Sequence, residues 1–459
     1  ALCKCRDHLV MSIEAGENAK IVAAYVAGAM DRQLPLDVMD AGRMCLADWL
    51  AVGIGAHDQG AGITVRETVK AWSSSGTSPV MQGGESAAMV SALVNGTFAH
   101  CLDYDDTHVG CLAHLSGPTW AATLAVAAEN GASDQQTLKA FVTGFEVGAR
   151  LGGKGFGEAV NKLGIHSTAV FGRLAATAAA GALLGLNEDQ MISALGVAAT
   201  QAGGLVASFG TMSKPFHAGK AAMDGVLSAQ MASNGFEAAG GLLEVAGDGL
   251  ARVLVQGGQT DIGVMDFNDG WEILENTFKP YAACLLTHPV IDSARELHNK
   301  LNGREAREIR AHVNPMVLRF AAKANPKTPL EGKFSTTYCT ALGLCGYRGS
   351  ERDFSPARLS DPGVLATMDR VHLVSDETLS ATAAKVTIDL ADGGEISAET
   401  PLATGNPGNP LGWDGINWKF MSLVEPVLGD DAAALFDHAR HFADGDDLRQ
   451  ISRTIAAVH

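Results

Sequence analysis

Several motifs that would assign a familiar chemistry are missing from this sequence of 459 residues. No GxGxxG follows a predicted strand and no GxxxxGKS or GxxxxGKT occurs, so the usual signatures of dinucleotide and nucleoside triphosphate binding are absent. There is no GxSxG elbow, which argues against a Ser-His-Asp hydrolase. The eight cysteines form no pair of CxxC motifs, so a zinc site built from cysteines is not expected.

Positive charge is also scarce. The 34 Lys and Arg residues are outnumbered by 51 Asp and Glu residues, which gives a formal net charge of -17. This balance argues against nucleic acid or an anionic membrane as a partner. A hydrophobic content of 47% with 19% charged residues predicts a globular protein with a large interior. If the substrate is itself an anion, its site must provide local positive charge.

Long uninterrupted apolar segments are the third absence. The candidates are broken by Arg173, Lys214 and Asp224, so none is a convincing membrane span. The N-terminus carries charged residues from Lys4 to His8 without the apolar run of a signal peptide. Sparse cysteines in a chain of this size fit a reducing cytoplasm. We therefore expect a cytoplasmic protein that does not span a membrane.

The pattern of apolar residues predicts two domains, which is also the default for this length. Helical spacing dominates up to about residue 270, and the alanine-rich segment 175–182 predicts close helix–helix contact in a deep core. Strands, a hairpin and two helices follow, and helix returns near the C-terminus. We predict a mostly α fold: a large all-helical domain with an inserted smaller α+β domain. The predicted parts are 11–272 for the large helical domain, 273–403 for the α+β domain, and 404–459 for C-terminal helices that return to the helical domain.

The predicted elements have these limits. Helices are expected at 17–56 with a break at 34–35, then at 64–71, 85–101, 118–130, 134–150, 167–186, 188–201, 288–301, 333–345 and 414–459. Strands are expected at 309–317, 370–374, 385–390 and 395–399.

One polar stretch between apolar segments is the most unusual feature of the chain. Residues 100–108 read HCLDYDDTH, and HLSGP follows at 114–118, which places three carboxylates and three imidazoles within fifteen residues. Charged residues are rarely buried unless they are paired or functional. Taken alone, the stretch fits a helix end equally well, because Asp105, Asp106 and Thr107 are good capping residues.

Three further polar clusters lie at the edges of apolar helices. They are GIHST at 164–168, residues 211–217, and residues 279–288, which begin KPYAAC. Together with the first stretch they offer carboxylates, imidazoles and lysines, the components for proton transfer at a carbon next to a carboxylate. Lys214 is predicted to lie just before a helix that starts at Pro215, where free backbone N–H groups attract an anion.

A metal site is an alternative from the residue types alone. The candidate ligands for a hard metal ion are Asp103, Asp105, Asp106, His108 and His114. A metal-dependent hydrolase is therefore the alternative from another class of enzyme.

The longer motifs resemble those of the MmgE/PrpD family. The matching segments, in order, are LDYDDTH with HLSGP, GIHSTAVFGRLAATAAAGALLGL, QAGGLVASFGTMSKPFHAGKAA, KPYAACLLTHPVID, EGKFSTTY and NPLGWDGINWKF. They cover nearly the whole chain. The family includes 2-methylcitrate dehydratase, cis-aconitate decarboxylase and iminodisuccinate epimerase.

The resemblance implies a mostly helical large domain, a smaller α+β domain that caps it, a site between them and a homodimer. It implies no metal and no organic cofactor. Six of the candidate residues are carried over by motif position, and Tyr281 and His288 are added because they lie close to Lys279 in sequence. The catalytic candidates are Asp103, His114, His166 and Lys214, and the substrate-binding candidates are Thr107, Lys279, Tyr281 and His288. Asp103 with His114 or His166 would transfer protons, and the lysines would bind carboxylates and stabilise developing charge. Asp105 and Asp106 are expected to remain helix caps.

The chain departs from the family pattern at a few positions. It has His114-Leu115-Ser116 where the family usually has His-Pro-Ser, and the interval from Thr107 to His114 is one residue longer than in the decarboxylases. Cys284 stands where decarboxylase-like members can have histidine, and the Asn-Asp-Thr-Trp pattern of dedicated 2-methylcitrate dehydratases is missing. We expect a cofactor-independent lyase for a small di- or tricarboxylate, with dehydration favoured over decarboxylation. An epimerase of an iminodisuccinate-like acid is the alternative within the family.

Overall fold

The computed structural model describes residues 15–241, 243–244, 249–255 and 263–457. The N-terminal residues used above to argue against a signal peptide, and the predicted domain start at residue 11, lie outside the described residues. The chain divides into two compact units. The helical unit contains residues up to 101, 105–276 and 420 onward, and the mixed unit contains residues 102–104 and 277–419. The mostly α fold with a smaller α+β part is confirmed, while the predicted domain limits stay a prediction.

Helices form most of the helical unit. Those in its described residues are α1 (Glu17–Ala27), α2 (Leu36–Gly55), α3 (Gly60–Lys70), α4 (Ala88–His100), α5 (Ser116–Asn130), α6 (Asp134–Gly152), α7 (Phe156–Lys162), α8 (Ser167–Leu183), α9 (Glu188–Ala199), α10 (Ser213–Ser233), α11 (Leu250–Val255), α19 (Asp431–Arg440) and α20 (Leu448–Ala457). The short strands β1 (Ser78–Val80) and β2 (Gly84–Ser86) form an antiparallel pair. The unit also contains β3 (Thr107–His108).

Small residues let the central helices of the helical unit approach closely. Helix α10 packs against α4 and α8, and α8 also packs against α5 and α6. A Cβ added to Gly96 on α4 would lie 2.9 Å from the Cα of Gly219 on α10. A Cβ added to Gly225 would lie 2.5 Å from the Cβ of Ala176. The close helix contact predicted for 175–182 is confirmed, and it leaves this core no room for larger side chains.

The mixed unit is built around a four-stranded sheet. Its strands are β5 (Ala306–Val313), β6 (Val371–Ser375), β7 (Ala384–Leu390) and β8 (Glu395–Thr400), in the order β6-β5-β7-β8. Strand β6 is parallel to β5, whereas β7 is antiparallel to both β5 and β8. The helices of the unit are α12 (His288–Leu301), α13 (Pro315–Phe320), α14 (Pro329–Gly332), α15 (Thr336–Leu344), α16 (Pro356–Leu359) and α17 (Pro362–Met368). Strand β4 (Asn276–Thr277) and helix α18 (Gly412–Leu428) contain the two limits of the unit along the chain.

Local sequence explains where most elements begin and end. Helix α12 has the predicted limits 288–301: Pro289 suits its first turn, and Asn302 ends it with φ 46°. The strand predicted at 309–317 instead ends at Val313, because Pro315 begins α13. Helix α10 begins at Ser213, so Lys214 lies inside its first turn and not before it. Within the described residues, no helix combines the length and apolar character needed to cross a membrane.

Candidate active site

One carboxylate joins two imidazoles at the end of α4 in the helical unit. His100 is the last residue of α4, and its Nδ1 lies 2.8 Å from Oδ2 of Asp105. The Nδ1 of His114 lies 3.3 Å from the same oxygen. His100 and Asp105 are buried, so an ionised carboxylate is compensated here by ring N–H groups and not by water. Asp105 therefore orients both rings.

His114 is held in one orientation by its neighbours. Its Nδ1 lies 2.8 Å from the carbonyl oxygen of Asp106 and 3.2 Å from the hydroxyl of Thr107. Its backbone N–H donates to the hydroxyl of Thr168 in the first turn of α8. Oxygen atoms around Nδ1 favour the tautomer with the proton on Nδ1. In that tautomer Nε2 carries the lone pair and can act as a base.

Two more imidazoles extend the row. His166 precedes α8, and its ring stacks on that of His100 with centroids 5.8 Å apart. Its Nδ1 lies 3.2 Å from Nδ1 of His217, so one of these two rings donates to the other. The Nε2 of His100 is buried and has no hydrogen-bond partner among the described residues. We call His100, His114, His166 and His217 the imidazole row.

Burial and the nearby Lys214 keep three of these imidazoles, those of His100, His166 and His217, uncharged at neutral pH. Burial lowers the pKa of His100 to about 4, and the charge of Lys214 acts in the same direction. Burial likewise holds the pKa of His166 well below its usual range and lowers the pKa of His217. Lys214 is itself buried, and its Nζ lies 5.1 Å from the ring centroid of Phe209. Neutral imidazoles beside an ammonium group are suited to moving protons near an anion.

The two adjacent aspartates of the polar stretch have different roles. Burial opposes ionisation of Asp105, but the facing imidazoles of His100 and His114 outweigh it and hold the pKa of Asp105 well below its usual range. Asp106 accepts hydrogen bonds from Ser116 and Asn276, and burial raises its pKa to about 7. A capping residue accepts a hydrogen bond from a backbone N–H at the start of a helix. The partners of Asp105 and Asp106 are side chains instead, so the expectation that these two residues cap a helix is wrong. Their side chains organise the stretch internally.

A second group of predicted residues lies within the mixed unit. The Nζ of Lys279 lies 2.9 Å from Oδ1 of Asp103 and 2.8 Å from its carbonyl oxygen. Both residues are buried, and Asp103 has φ 51°, which is uncommon for a residue with a side chain. Strain of this kind is often found at functional sites. The pair combines a predicted catalytic carboxylate with a predicted substrate-binding lysine.

Tyr281 and His288 lie in the same unit. Their rings are 5.2 Å apart, and the Tyr281 hydroxyl donates to Asp292. Burial raises the pKa of Tyr281 above its usual range, so the phenol is protonated. Burial lowers the pKa of His288 to about 3, helped by the charge of Lys279. His288 Nε2 lies 3.2 Å from the carbonyl oxygen of Ala283.

The structure groups the predicted residues into two sets, one in each unit. Thr107, His114, His166 and Lys214 belong to the helical unit, and Asp103, Lys279, Tyr281 and His288 belong to the mixed unit. The roles predicted for them stay predictions. Sequence reasoning did not select His100, His217 and Asp105 as site residues. The sequence contains a feature that could have pointed to two of them. His100 lies five residues before Asp105, and His217 lies one helical turn after Lys214.

Three of these side chains could also hold a metal ion. His100, Asp105 and His114 each offer a ligand atom, and these atoms all lie within 4.8 Å of one another. This set is smaller than the five residues considered from the sequence, and it adds His100. Two imidazoles and one carboxylate are common ligands of zinc and iron. The same three residues therefore admit two kinds of chemistry, and experiment can separate them.

Comparison with known proteins shows the family of the chain. The MmgE/PrpD N-terminal domain matches residues 20–263, and the MmgE/PrpD C-terminal domain matches residues 281–441. A cis-aconitate decarboxylase of Aspergillus terreus is 28% identical over 82% of this chain and 83% of its own length. A cis-aconitate decarboxylase-like protein of Aspergillus oryzae is 25% identical over 89% and 90%, and the human cis-aconitate decarboxylase is 24% identical over 78% and 77%. The chain belongs to the MmgE/PrpD family.

Proposed function

We propose that this protein is a lyase that acts on a small di- or tricarboxylate by acid–base chemistry. The observation that carries the proposal is the pair of buried, uncharged imidazoles of His100 and His166, which lie in the imidazole row next to Lys214. An ammonium group in a buried site attracts a carboxylate strongly, because water screens the interaction little. The uncharged rings can then accept or return a proton at the carbon next to that carboxylate.

Each residue has a proposed part in this scheme. His114, whose Nδ1 is held by oxygen atoms, offers Nε2 as the base. His166 is the second candidate for proton transfer, and Asp103 remains the carboxylate candidate. Lys214 stabilises the negative charge that develops when a C–H or C–CO2 bond breaks. Thr107, Lys279, Tyr281 and His288 remain the proposed substrate-binding residues, without a metal or organic cofactor.

Dehydration of a citrate-like acid is the first reaction that we propose. It requires a base at carbon and an acid at the leaving hydroxyl, and a site with several imidazoles provides both. Decarboxylation is the second, because the Aspergillus terreus and human relatives are named cis-aconitate decarboxylases. Both reactions share a carbanion stabilised by a neighbouring carboxylate. The longer interval before His114 and the presence of Cys284 are why decarboxylation is placed second.

Epimerisation is the alternative that uses the same residues. The proton taken from carbon would return on the opposite face, and no bond to oxygen or CO2 would break. A metal-dependent hydrolase is the alternative from another class, supported by the distances among His100, Asp105 and His114. We also retain the predictions of a cytoplasmic homodimer.

A screen in deuterated solvent tests these reactions together. Purified protein is incubated with 2-methylcitrate, citrate, cis-aconitate and iminodisuccinate. Absorbance of a new double bond indicates dehydration, and release of CO2 indicates decarboxylation. Deuterium in recovered substrate without net loss indicates epimerisation. No change in any of these acids, by a folded protein, would contradict the proposed function.

A further inference from the structure

Three buried ammonium groups hold three successive carbonyl groups of the chain in the mixed unit. The Nζ atoms of Lys333, Lys279 and Lys419 donate to the carbonyls of residues 102, 103 and 104, at 2.6, 2.8 and 2.5 Å respectively. We call this arrangement the lysine clamp. The three lysines come from separate parts of the sequence, so the clamp exists only in the folded chain.

The clamp is costly to build, which argues that it has a purpose. The exposed fractions of Lys279, Lys333 and Lys419 are 1%, 3% and 1%. Buried ammonium groups destabilise a protein unless partners replace their water. Asp103 partners Lys279, and Glu351 lies 2.6 Å from Lys333. An apolar side chain of similar length in place of a lysine would avoid this desolvation. We therefore infer that the charges of the three lysines serve a function.

The clamped segment contains the strained residue. Asp103 has φ 51°, and the flanking Tyr104 is fully buried, with its hydroxyl donating to the carbonyl of Pro280. The Nζ of Lys419 also lies 4.1 Å from the ring centroid of Tyr104. Left-handed backbone is uncommon for a residue with a side chain, and it persists where surrounding contacts overdetermine it. The contacts to the three successive carbonyls and to the side chain of Tyr104 hold the backbone of Asp103 in this conformation.

We propose that Lys333 and Lys419 are positioning residues that, with Lys279, fix the backbone at 102–104 and thereby present the carboxylate of Asp103 for reaction. This inference rests on the proposed function, in which Asp103 takes part. Lys333 and Lys419 act through Asp103 and need not touch the substrate. Neither was among the residues selected from the sequence, although both lie in the motifs EGKFSTTY and NPLGWDGINWKF.

A double-mutant cycle tests the proposal. Lys419→Met and Lys333→Met each remove one ammonium group and keep the length of the side chain. We expect each to lower kcat by roughly tenfold to a hundredfold, a typical effect of a misplaced catalytic group, with KM changed by less than about threefold. In an Asp103→Asn background the same changes should lower kcat by less than about threefold, because the effects of residues that act through one group are not additive. Lys385→Met, at an exposed position of β7, is the matched control and should leave kcat unchanged.

Backbone exchange provides a readout that does not depend on activity. Amide hydrogen–deuterium exchange of the peptide that contains residues 102–106 should speed up at least tenfold in either methionine variant and not in Lys385→Met. If either methionine variant does not fold, the corresponding glutamine variant, Lys419→Gln or Lys333→Gln, is used in its place. Equal losses of kcat with and without Asp103→Asn, or unchanged exchange at 102–106, would overturn the proposal. Full activity of Asp103→Asn would remove Asp103 from the reaction and would overturn the proposal while leaving the proposed lyase function intact. An inactive wild type with faster exchange in the variants would contradict the proposed function and leave the clamp established.

Discussion

The two units bury ionisable groups in different ways. In the helical unit, burial lowers the pKa values of His100 and His166, so these rings lose their charge and the desolvation cost falls. In the mixed unit, the ammonium groups are compensated by hydrogen bonds to carbonyls and carboxylates. Uncharged rings can take up and release protons, whereas lysines that donate to backbone carbonyls are suited to holding structure. We therefore propose that the imidazoles of the helical unit transfer protons and that the lysines of the mixed unit position Asp103.

Removing the positive charge beside the imidazole row should have the largest effect. We expect Lys214→Met to lower kcat by about a thousandfold, roughly 4 kcal/mol of transition-state stabilisation, because Lys214 stabilises the developing anion. Lys220→Met on the same helix is the matched control, since Lys220 is half-exposed and pairs with Asp224. Steady-state kinetics with the substrate found in the screen measures both. A loss below threefold in Lys214→Met would remove this lysine from the mechanism.

The adjacent aspartates provide the next test of the helical unit. Asp105→Asn should lower kcat by about a hundredfold, because an amide can donate towards Nδ1 of His100 and His114 and favour the wrong tautomer. Asp106→Asn should change kcat by less than about threefold, since Asp106 contacts Ser116 and Asn276 and no imidazole nitrogen is among its side chain's described partners. The two variants differ by one position in sequence. Equal losses would show that the polar stretch acts only as a structural unit.

Acid should destabilise the protein partly through His100. The pKa of His100 is about 4 in the folded chain, below the ordinary histidine value of about 6.5. Below pH 6.5 the unfolded chain binds a proton that the folded chain does not, so the free energy of unfolding falls until about pH 4. The expected loss from this residue between pH 7 and pH 5 is on the order of 2 kcal/mol.

Urea unfolding of the wild type and of His100→Asn at these two pH values measures the effect. The difference between the two proteins isolates His100 from the other groups that titrate. The variant should lose less stability on acidification than the wild type. Identical losses would mean that His100 is not held uncharged by burial.

Apolar periodicity and turn residues predicted most of the longer helices because these signals are local, but they missed short helices such as α7 and α13. The segment predicted as helix at 414–459 contains three helices, α18, α19 and α20. The limits of α12 follow from Pro289 and Asn302 at its two ends, and the small side chains of 175–182 were enough to predict close helix contact, although not that α10 is the partner. The lysine clamp could not be predicted, because Lys279, Lys333 and Lys419 converge only through tertiary structure. Asp105 was misinterpreted for the same reason: an acidic residue after a helix has the same local sequence whether it caps backbone or binds an imidazole. His100 was passed over because a single buried histidine is usually structural.

Chelation should have the smallest effect, and it separates the two chemistries available to His100, Asp105 and His114. If their nitrogen and oxygen atoms hydrogen-bond one another as observed, prolonged treatment with EDTA followed by dialysis should change kcat by less than about twofold. If a metal ion is required, activity should be lost and should return on addition of zinc or iron. The untreated protein is also analysed for bound metal by mass spectrometry. Stoichiometric metal together with loss of activity would assign the helical unit to metal chemistry, and the contrast between proton-transferring imidazoles and a charged lysine clamp would no longer hold.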